Sequence, residues 1–257
     1  MTVAGAFREN RANGAAYMTA PNIAAAHAFA TRLSGADASF PSRSRAYLEP
    51  ICGALGIAFD DMSFSDQVHG AAVFVAGGTG AARRPEGFDA LVSAASGHAL
   101  AVFTADCAPI LLYDPARGAA GAVHAGWRGV AANVAGAAAD AMIREFGCAP
   151  GDIQAAIGPC ISKCCFETDG DVADAMAALF TGGAETDAVV ERVGKKYHVD
   201  IKAANVLLLE RAGLRRENIS VSDECTRCLS DKYWSRRASR GGHGLQASII
   251  ALTPARL

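Results

Sequence analysis

No apolar run in this 257-residue chain reaches the roughly 18 residues a membrane-spanning helix needs, so the sequence excludes such a helix. Charge of one sign is also lacking: the net charge is −2. Lysines and arginines are scattered apart from the small cluster Arg236-Arg237-Arg240, which is no footprint for nucleic acid. There is no internal repeat, no low-complexity linker and no composition break to divide the chain into two domains. Residues Met1–Ala20 lack the apolar core of a secretory signal. They read as a loose, flexible extension ahead of a single domain over residues 21–257, with Met18 as an alternative start. The eight cysteines are even in number, but the chain is too long and too rich in core residues to need disulfide staples. They read as reduced thiols of a cytoplasmic protein.

What is present is a core: hydrophobic residues make up 51% of the chain, with 27 glycines. Short apolar runs alternate with helical patterns, which predicts an α/β fold: a single layered domain with a mixed β-sheet flanked by helices. The predicted strands are Ala24–Thr31, Ala71–Val75, Ala90–Ser93, Ala99–Thr104, Ile110–Tyr113, Ala119–His124, Ile153–Ile157, Ile219–Val221 and Ala247–Leu252. Asp114-Pro115-Ala116-Arg117-Gly118 is a turn, so Ile110–Tyr113 and Ala119–His124 form an antiparallel hairpin. Helices are predicted over Val130–Phe146, from Asp169 or Asp171 to Phe180, and from an N-cap at Asp200 to Gly213. A weaker pattern covers Arg43–Leu55, where Pro50 marks a start or a kink.

Three residues at strand ends carry the chemistry. Cys107 follows the apolar run Ala99–Thr104, and Pro109 disfavours helical geometry just beyond it. His124 ends the run Gly118–Val123, before Gly126 and Gly129 turn the chain into the long helix. His69 stands upstream in Gln67-Val68-His69-Gly70. Two histidines and one thiol are a three-ligand set for a zinc-like ion with one position left open. Taken singly, each has a plainer reading: a small buried thiol, or a satisfied core histidine.

The segments Gln67–Gly70, Thr104-Ala105-Asp106-Cys107-Ala108-Pro109, His124-Ala125-Gly126-Trp127-Arg128-Gly129 and Ile157-Gly158-Pro159-Cys160-Ile161 occur in that order. With Cys164-Cys165-Phe166-Glu167, Asp200-Ile201, Cys225-Thr226-Arg227-Cys228 and Tyr233-Trp234-Ser235-Arg236-Arg237, they closely resemble the bacterial YfiH family, also called the laccase-domain or polyphenol oxidase family. The resemblance runs from about Ala26 to Leu252. It implies a single α/β domain with a zinc site at His69, Cys107 and His124, where copper has also been assigned. It implies phosphorolysis of purine nucleosides (adenosine, inosine, methylthioadenosine), with adenosine deamination. The oxidase label fits the residues poorly. The six histidines include no His-x-His pair, and no segment offers the weak axial ligand of a blue-copper site.

An ion with three protein ligands can polarise phosphate or lower the pKa of water, so phosphate or hydroxide at the open position would serve either reaction. Arg128, with helix amides from Gly129 onward, is the first candidate for phosphate, and Arg32 the second; each has a surface ion pair as its plainer role. Asp106 or Glu167 can serve as general acid, or Asp106 can orient a ligand histidine. Asp89 reads as a turn residue. Cys160 is a candidate lining residue. Cys225-x-x-Cys228 has metal-site spacing, but lacks a second pair unless Cys164 and Cys165 fold near it, so a structural or lining role is the reading for these thiols. The implied partners are a purine nucleoside and phosphate, with neither nucleic acid nor membrane. Two departures bear on specificity: a shortened loop at Leu33–Phe40, and His243-Gly244-Leu245-Gln246 where the family has Thr-Gly-Arg. Rival readings are a metal-free cysteine hydrolase using Cys107 and His124, and a binding or regulatory protein without turnover.

Overall fold

A computed structural model describes residues 6–32, 43–77, 84–239 and 242–252. The chain runs β1 (Arg8–Ala12), β2 (Ala15–Thr19), β3 (Ala26–Ala30), α1 (Arg45–Leu55), β4 (Met62–Phe64), β5 (Val73–Val75), β6 (Ala90–Ser93), β7 (Ala99–Thr104), β8 (Ala108–Asp114), β9 (Ala119–Ala125), α2 (Trp127–Ala131), α3 (Val134–Phe146), β10 (Gln154–Ile157), β11 (Glu167–Thr168), α4 (Gly170–Ala177), α5 (Gly183–Val189), β12 (Val190–Val193), β13 (Lys196–Val199), α6 (Ile201–Arg211), β14 (Ile219–Val221) and β15 (Gln246–Ala251).

The predicted sheet is in fact two. One has the order β1-β2-β3-β15-β7-β4, the other β14-β10-β8-β9-β6-β5, and a small sheet β11-β13-β12 stands apart. Both large sheets are mixed: β4–β7, β5–β6 and β10–β14 are parallel and the other pairings antiparallel. They pack face to face. Phe29, Leu100, Val102 and Ile250 of the first share a core with Leu91, Leu111, Ala120 and Ala156 of the second. The opposite face of the first sheet is covered by Tyr47, Leu48 and Ile51 of α1, that of the second by α3 and α6. Strand β7 shows the consequence: Ala99, Ala101 and Phe103 face α1, while Leu100 and Val102 face the other sheet. A strand buried on both faces has no polar alternation, so it reads as an unbroken apolar run.

Three expectations need correction. The supposed loose extension contains the β1–β2 hairpin, in which Ala15, Ala16, Tyr17 and Met18 are buried. Its turn is Asn13-Gly14, both at positive φ (51° and 80°), the geometry a two-residue hairpin turn requires. The long helix is broken: α2 ends at Ala131, and Asn133 takes φ 57° to cap α3 by accepting from Gly136 N. Asparagine is among the few non-glycine residues that adopt this conformation readily. The Arg43–Leu55 pattern is one helix from Arg45, running through Pro50, its buried face packed on the sheet. Asp200 is the expected N-cap, accepting from Lys202 N and Ala203 N. Among the described residues no helix is long and apolar enough to cross a membrane.

Candidate metal centre

Strand register places the ligands. In the β8–β9 pair, Ala108 lies opposite Ala125 and Pro109 opposite His124, so Cys107, one residue before β8, faces the Gly126 turn. In the β6–β9 pair, Ala90 lies opposite Val123, and the pairing continues one step with His124 N donating to Asp89 O at 2.7 Å. That step brings two buried polar side chains together: His124 Nδ1 is 2.7 Å from Asp89 Oδ1, at 3% and 0% exposure. The carboxylate is an acceptor, so the neutral imidazole keeps its proton on Nδ1 and presents Nε2 to a ligand.

Asp89 also holds the third donor. Its carboxylate accepts from Val68 N (3.1 Å), His69 N (2.9 Å) and Gly70 N (2.7 Å). These bonds bend the chain so that His69 takes φ 62°, uncommon for a residue with a side chain. Burial opposes ionisation of Asp89, but the bonds from His124 and the Gly70 and Val68 amides outweigh it and lower its pKa. The His69 and His124 rings then meet edge to face with centroids 4.8 Å apart.

The donor atoms of His69, Cys107 and His124 lie within 4.8 Å of one another. Burial raises the Cys107 pKa, but its contacts with His124 and His69 prevail and bring it down to about 6. Burial likewise lowers His124, but Asp89 and Cys107 raise it to about 9. The thiol is therefore ready as a thiolate, the form that ligates metal. Gly126 leaves the necessary room: a Cβ there would lie 2.9 Å from Cys107 Sγ and 2.9 Å from His69 Cδ2. Donor type, proton placement and space all fit one zinc-like ion.

The centre opens on a cleft of about 470 Å³ lined by Asp106, Trp127, Arg128, Ile161, Phe166, Ile201, Arg236 and Arg237, among others. Beside the ligands His69 and Cys107, two further predicted residues, Arg128 and Asp106, line it. Arg128 is exposed, its guanidinium 4.3 Å from the Trp127 ring centroid. Amides expected to assist it are engaged within the chain, Val130 N donating to Gly126 O (2.9 Å) and Ala132 N to Arg128 O (3.0 Å). Asp106 holds the wall rather than a ligand: Oδ1 accepts from Thr226 Oγ1 and Oδ2 from Arg237 N, both at 2.7 Å. The histidine-orienting role belongs to Asp89.

The other predicted contacts lie elsewhere. Arg32 lines a neighbouring cleft, stacked 4.3 Å from the Trp234 ring centroid and donating to Ser230 O at 2.7 Å. Cys160 is fully buried and its pKa is pushed up to about 12 by that burial. Glu167 is exposed on β11, and its backbone carbonyl accepts from Arg237 Nη1 at 2.9 Å. Leu245 packs toward the α1 core. Leu33–Phe40 and Arg240 lie outside the described residues. Sequence reasoning missed Asp89 and the wall of Arg236 and Arg237. An acidic residue at the mouth of an all-apolar strand was the available signal for the first.

The family described as multi-copper polyphenol oxidoreductase laccase matches residues 37–253. A purine nucleoside phosphorylase of Deinococcus radiodurans is 37% identical over 256 residues, 94% of each chain. Adenosine deaminase RL5, from an unknown prokaryotic organism, is 39% identical over 153 residues, 59% of this chain and 57% of that protein. The crystal structure of the hypothetical protein YfiH of Bacillus licheniformis is similar at a TM-score of 0.83 and 27% identity, over 96% of this chain and 99% of the other.

Proposed function

The chain belongs to the multi-copper polyphenol oxidoreductase laccase family, and on that premise we propose that it is a metal-dependent enzyme that cleaves purine nucleosides with phosphate and deaminates adenosine. The observation that carries this reading is the open three-donor set of His69, Cys107 and His124 beside a cleft with three arginines. A relative named purine nucleoside phosphorylase and one named adenosine deaminase support both halves. Zinc suits the donor set, and copper would compete for it. An oxidase is disfavoured: among the described residues the two candidate metal groups are this one and a set of four cysteines, neither being the multi-histidine cluster of multicopper chemistry.

When bound, the ion would supply a Lewis acid or activate water. The chain's own residues do the rest. Arg128, Arg236 and Arg237 bring positive charge to the cleft, where phosphate would bind. Trp127 and Phe166 offer flat apolar faces to a purine. Asp106 positions Arg237 through its backbone amide, and Asp89 keeps the Nδ1 proton on His124.

Product chromatography tests the reading. Wild type is incubated with adenosine, inosine and methylthioadenosine, with and without phosphate. Phosphate-dependent release of free base, deamination of adenosine and loss of both in His124→Ala are expected. Release of neither product by wild type would sink the nucleoside reading; full activity in His124→Ala would sink the site.

One observation favours a second reading. Cys107, His124 and Asp89 form a thiol–imidazole–carboxylate chain whose thiol is lowered to about 6, the arrangement of a cysteine hydrolase. Metal analysis of wild type beside His124→Ala, both purified without added metal, separates the two, since a zinc that wild type holds and the variant lacks excludes the nucleophile.

A further inference from the structure

Four cysteines from two distant segments converge outside the cleft. Cys164 and Cys165 lie in the turn between β10 and β11; Cys225 and Cys228 follow β14. Their sulfurs all lie within 4.8 Å of one another. The Cys164–Cys165 and Cys164–Cys228 separations are 3.7 Å, and Cys165–Cys228 is 3.4 Å. Four sulfurs at about 2.3 Å from a tetrahedral zinc stand about 3.8 Å apart. A disulfide would bring a pair to about 2.05 Å, and all four are free thiols. We propose that Cys164, Cys165, Cys225 and Cys228 form a closed tetrathiolate site for a structural zinc ion, separate from the cleft centre and independent of the nucleoside reading.

The surroundings suit thiolates. Cys225-Thr226-Arg227-Cys228 has the two-residue spacing of a zinc knuckle. Ser162 N donates to Cys225 Sγ at 3.4 Å, and the amides of Arg227 and Cys228 also point at that sulfur. Arg227 Nη1 donates to Cys165 Sγ at 3.7 Å, placing a cation against a cluster that would carry net negative charge with zinc bound. Cys164 and Cys228 are exposed and Cys225 is buried, so the ion has a path in and an anchor below.

The site has a mechanical role. Beyond the β10–β14 pairing, the backbone links the two segments by Ser222 N donating to Ile157 O (2.9 Å) and, at the Cys160–Cys225 bridge, by Thr226 N donating to Cys160 O (3.1 Å). The same segments carry the cleft wall: Arg237 Nη1 donates to Cys165 O (3.3 Å) and Glu167 O (2.9 Å), and Thr226 reaches Asp106. A zinc ion would fasten the loop that bears Phe166 to the one that bears Arg236 and Arg237.

The test uses the full-length His124→Ala protein, in which the cleft centre is disabled. Grown with zinc and purified reduced, it should retain one zinc per chain. Replacing that zinc with cobalt should give the strong thiolate charge-transfer absorption and visible bands of a tetrahedral tetrathiolate. Adding Cys164→Ser and Cys228→Ser should remove the metal and the absorption. Absence of zinc from His124→Ala protein, a cobalt spectrum without thiolate bands, or a Cys164–Cys228 disulfide in the zinc-grown protein would each overturn the proposal. A red, iron-loaded protein would overturn the assignment to zinc. The spectrum of the His124→Ala protein decides the matter even where the serine variants fail to fold.

Discussion

Cys107 stands one residue before a central strand, between two histidines whose positions are set by one buried carboxylate. Cys164 and Cys165 stand in a turn, against two further thiols from a second loop. Both regions gather soft donors within 4.8 Å. They differ in closure. Three donors beside a cleft leave a position for substrate, whereas four thiols fill a tetrahedron and leave none. They differ also in what holds them. The first is positioned by strand pairing; the second would fasten two loops that leave the paired strands β10 and β14. The same donor chemistry would thus give a reactive centre on one scaffold and a fastener on the other.

Removing the carboxylate is the harshest way to break this contrast. In Asp89→Ala the amides of Val68, His69 and Gly70 and the ring of His124 lose their acceptor together. Breaking a buried hydrogen-bonded charge pair costs about 3–5 kcal/mol. Denaturant unfolding should show a loss of that order, with the cleft metal gone and the thiol-site metal retained. Loss of both metals in equal measure would mean the two regions are not independent.

Gly126→Ala acts on the cleft centre alone. The new methyl would lie 2.9 Å from Cys107 Sγ and His69 Cδ2, so the donors must part. A misplaced ligand shell weakens metal binding about 10–100-fold, readable as a raised dissociation constant in competition with a chelator. An unchanged constant would show that the donors have slack the structure does not display. A smaller effect is expected at Arg128→Ala. Loss of one charge-assisted contact at an exposed residue, about 1.5 kcal/mol at the low end for such bonds, should raise the KM for phosphate about tenfold and leave metal content alone. Arg32→Ala should leave that KM unchanged, because Arg32 lines the neighbouring cleft.

How much of this was legible follows from where each signal lived. Strands buried on both faces announce themselves, and Ala99–Thr104 and Ile219–Val221 stand as predicted. The β1–β2 hairpin was hidden because its polar strand β1 resembles a tail, although Asn13-Gly14 is a strong hairpin signal. The exposed hairpin of β12 and β13 has no apolar run at all. His69, Cys107 and His124 were readable from motif and strand ends. Asp89 was not, because its role depends on register: only the β6–β9 pairing sets it beside His124. The four-thiol cluster depends on tertiary structure in the same way, since local spacing shows two pairs and not their meeting. Arg32 was misplaced for the converse reason, a sequence neighbour of core strand β3 that faces a different cleft.

The mildest perturbation is chemical and distinguishes Cys107 from Cys164 directly. In metal-free protein Cys107 is lowered to about 6, since contacts with His124 and His69 outweigh its burial. Cys164, although exposed, is pushed up to about 12 by partial desolvation within the cluster and by its thiol neighbours. Thiolate forms as pH rises through the pKa, so alkylation of Cys107 should climb through pH 6 and level off near pH 7. Cys164 should stay inert across that range. The gain in absolute rate is small. Against an ordinary thiol of pKa about 8.5, the thiolate fraction at pH 7 rises about 30-fold. Nucleophilicity falls with a Brønsted slope of about 0.4–0.5, which takes back about 10–20-fold and leaves only a few-fold difference. The midpoint of the pH profile, followed by mass spectrometry of the Cys107 peptide, is therefore the informative quantity. Zinc should abolish the reaction at Cys107 by engaging its sulfur. A midpoint near pH 8.5, or alkylation indifferent to zinc, would detach Cys107 from both histidines and from the metal centre they define.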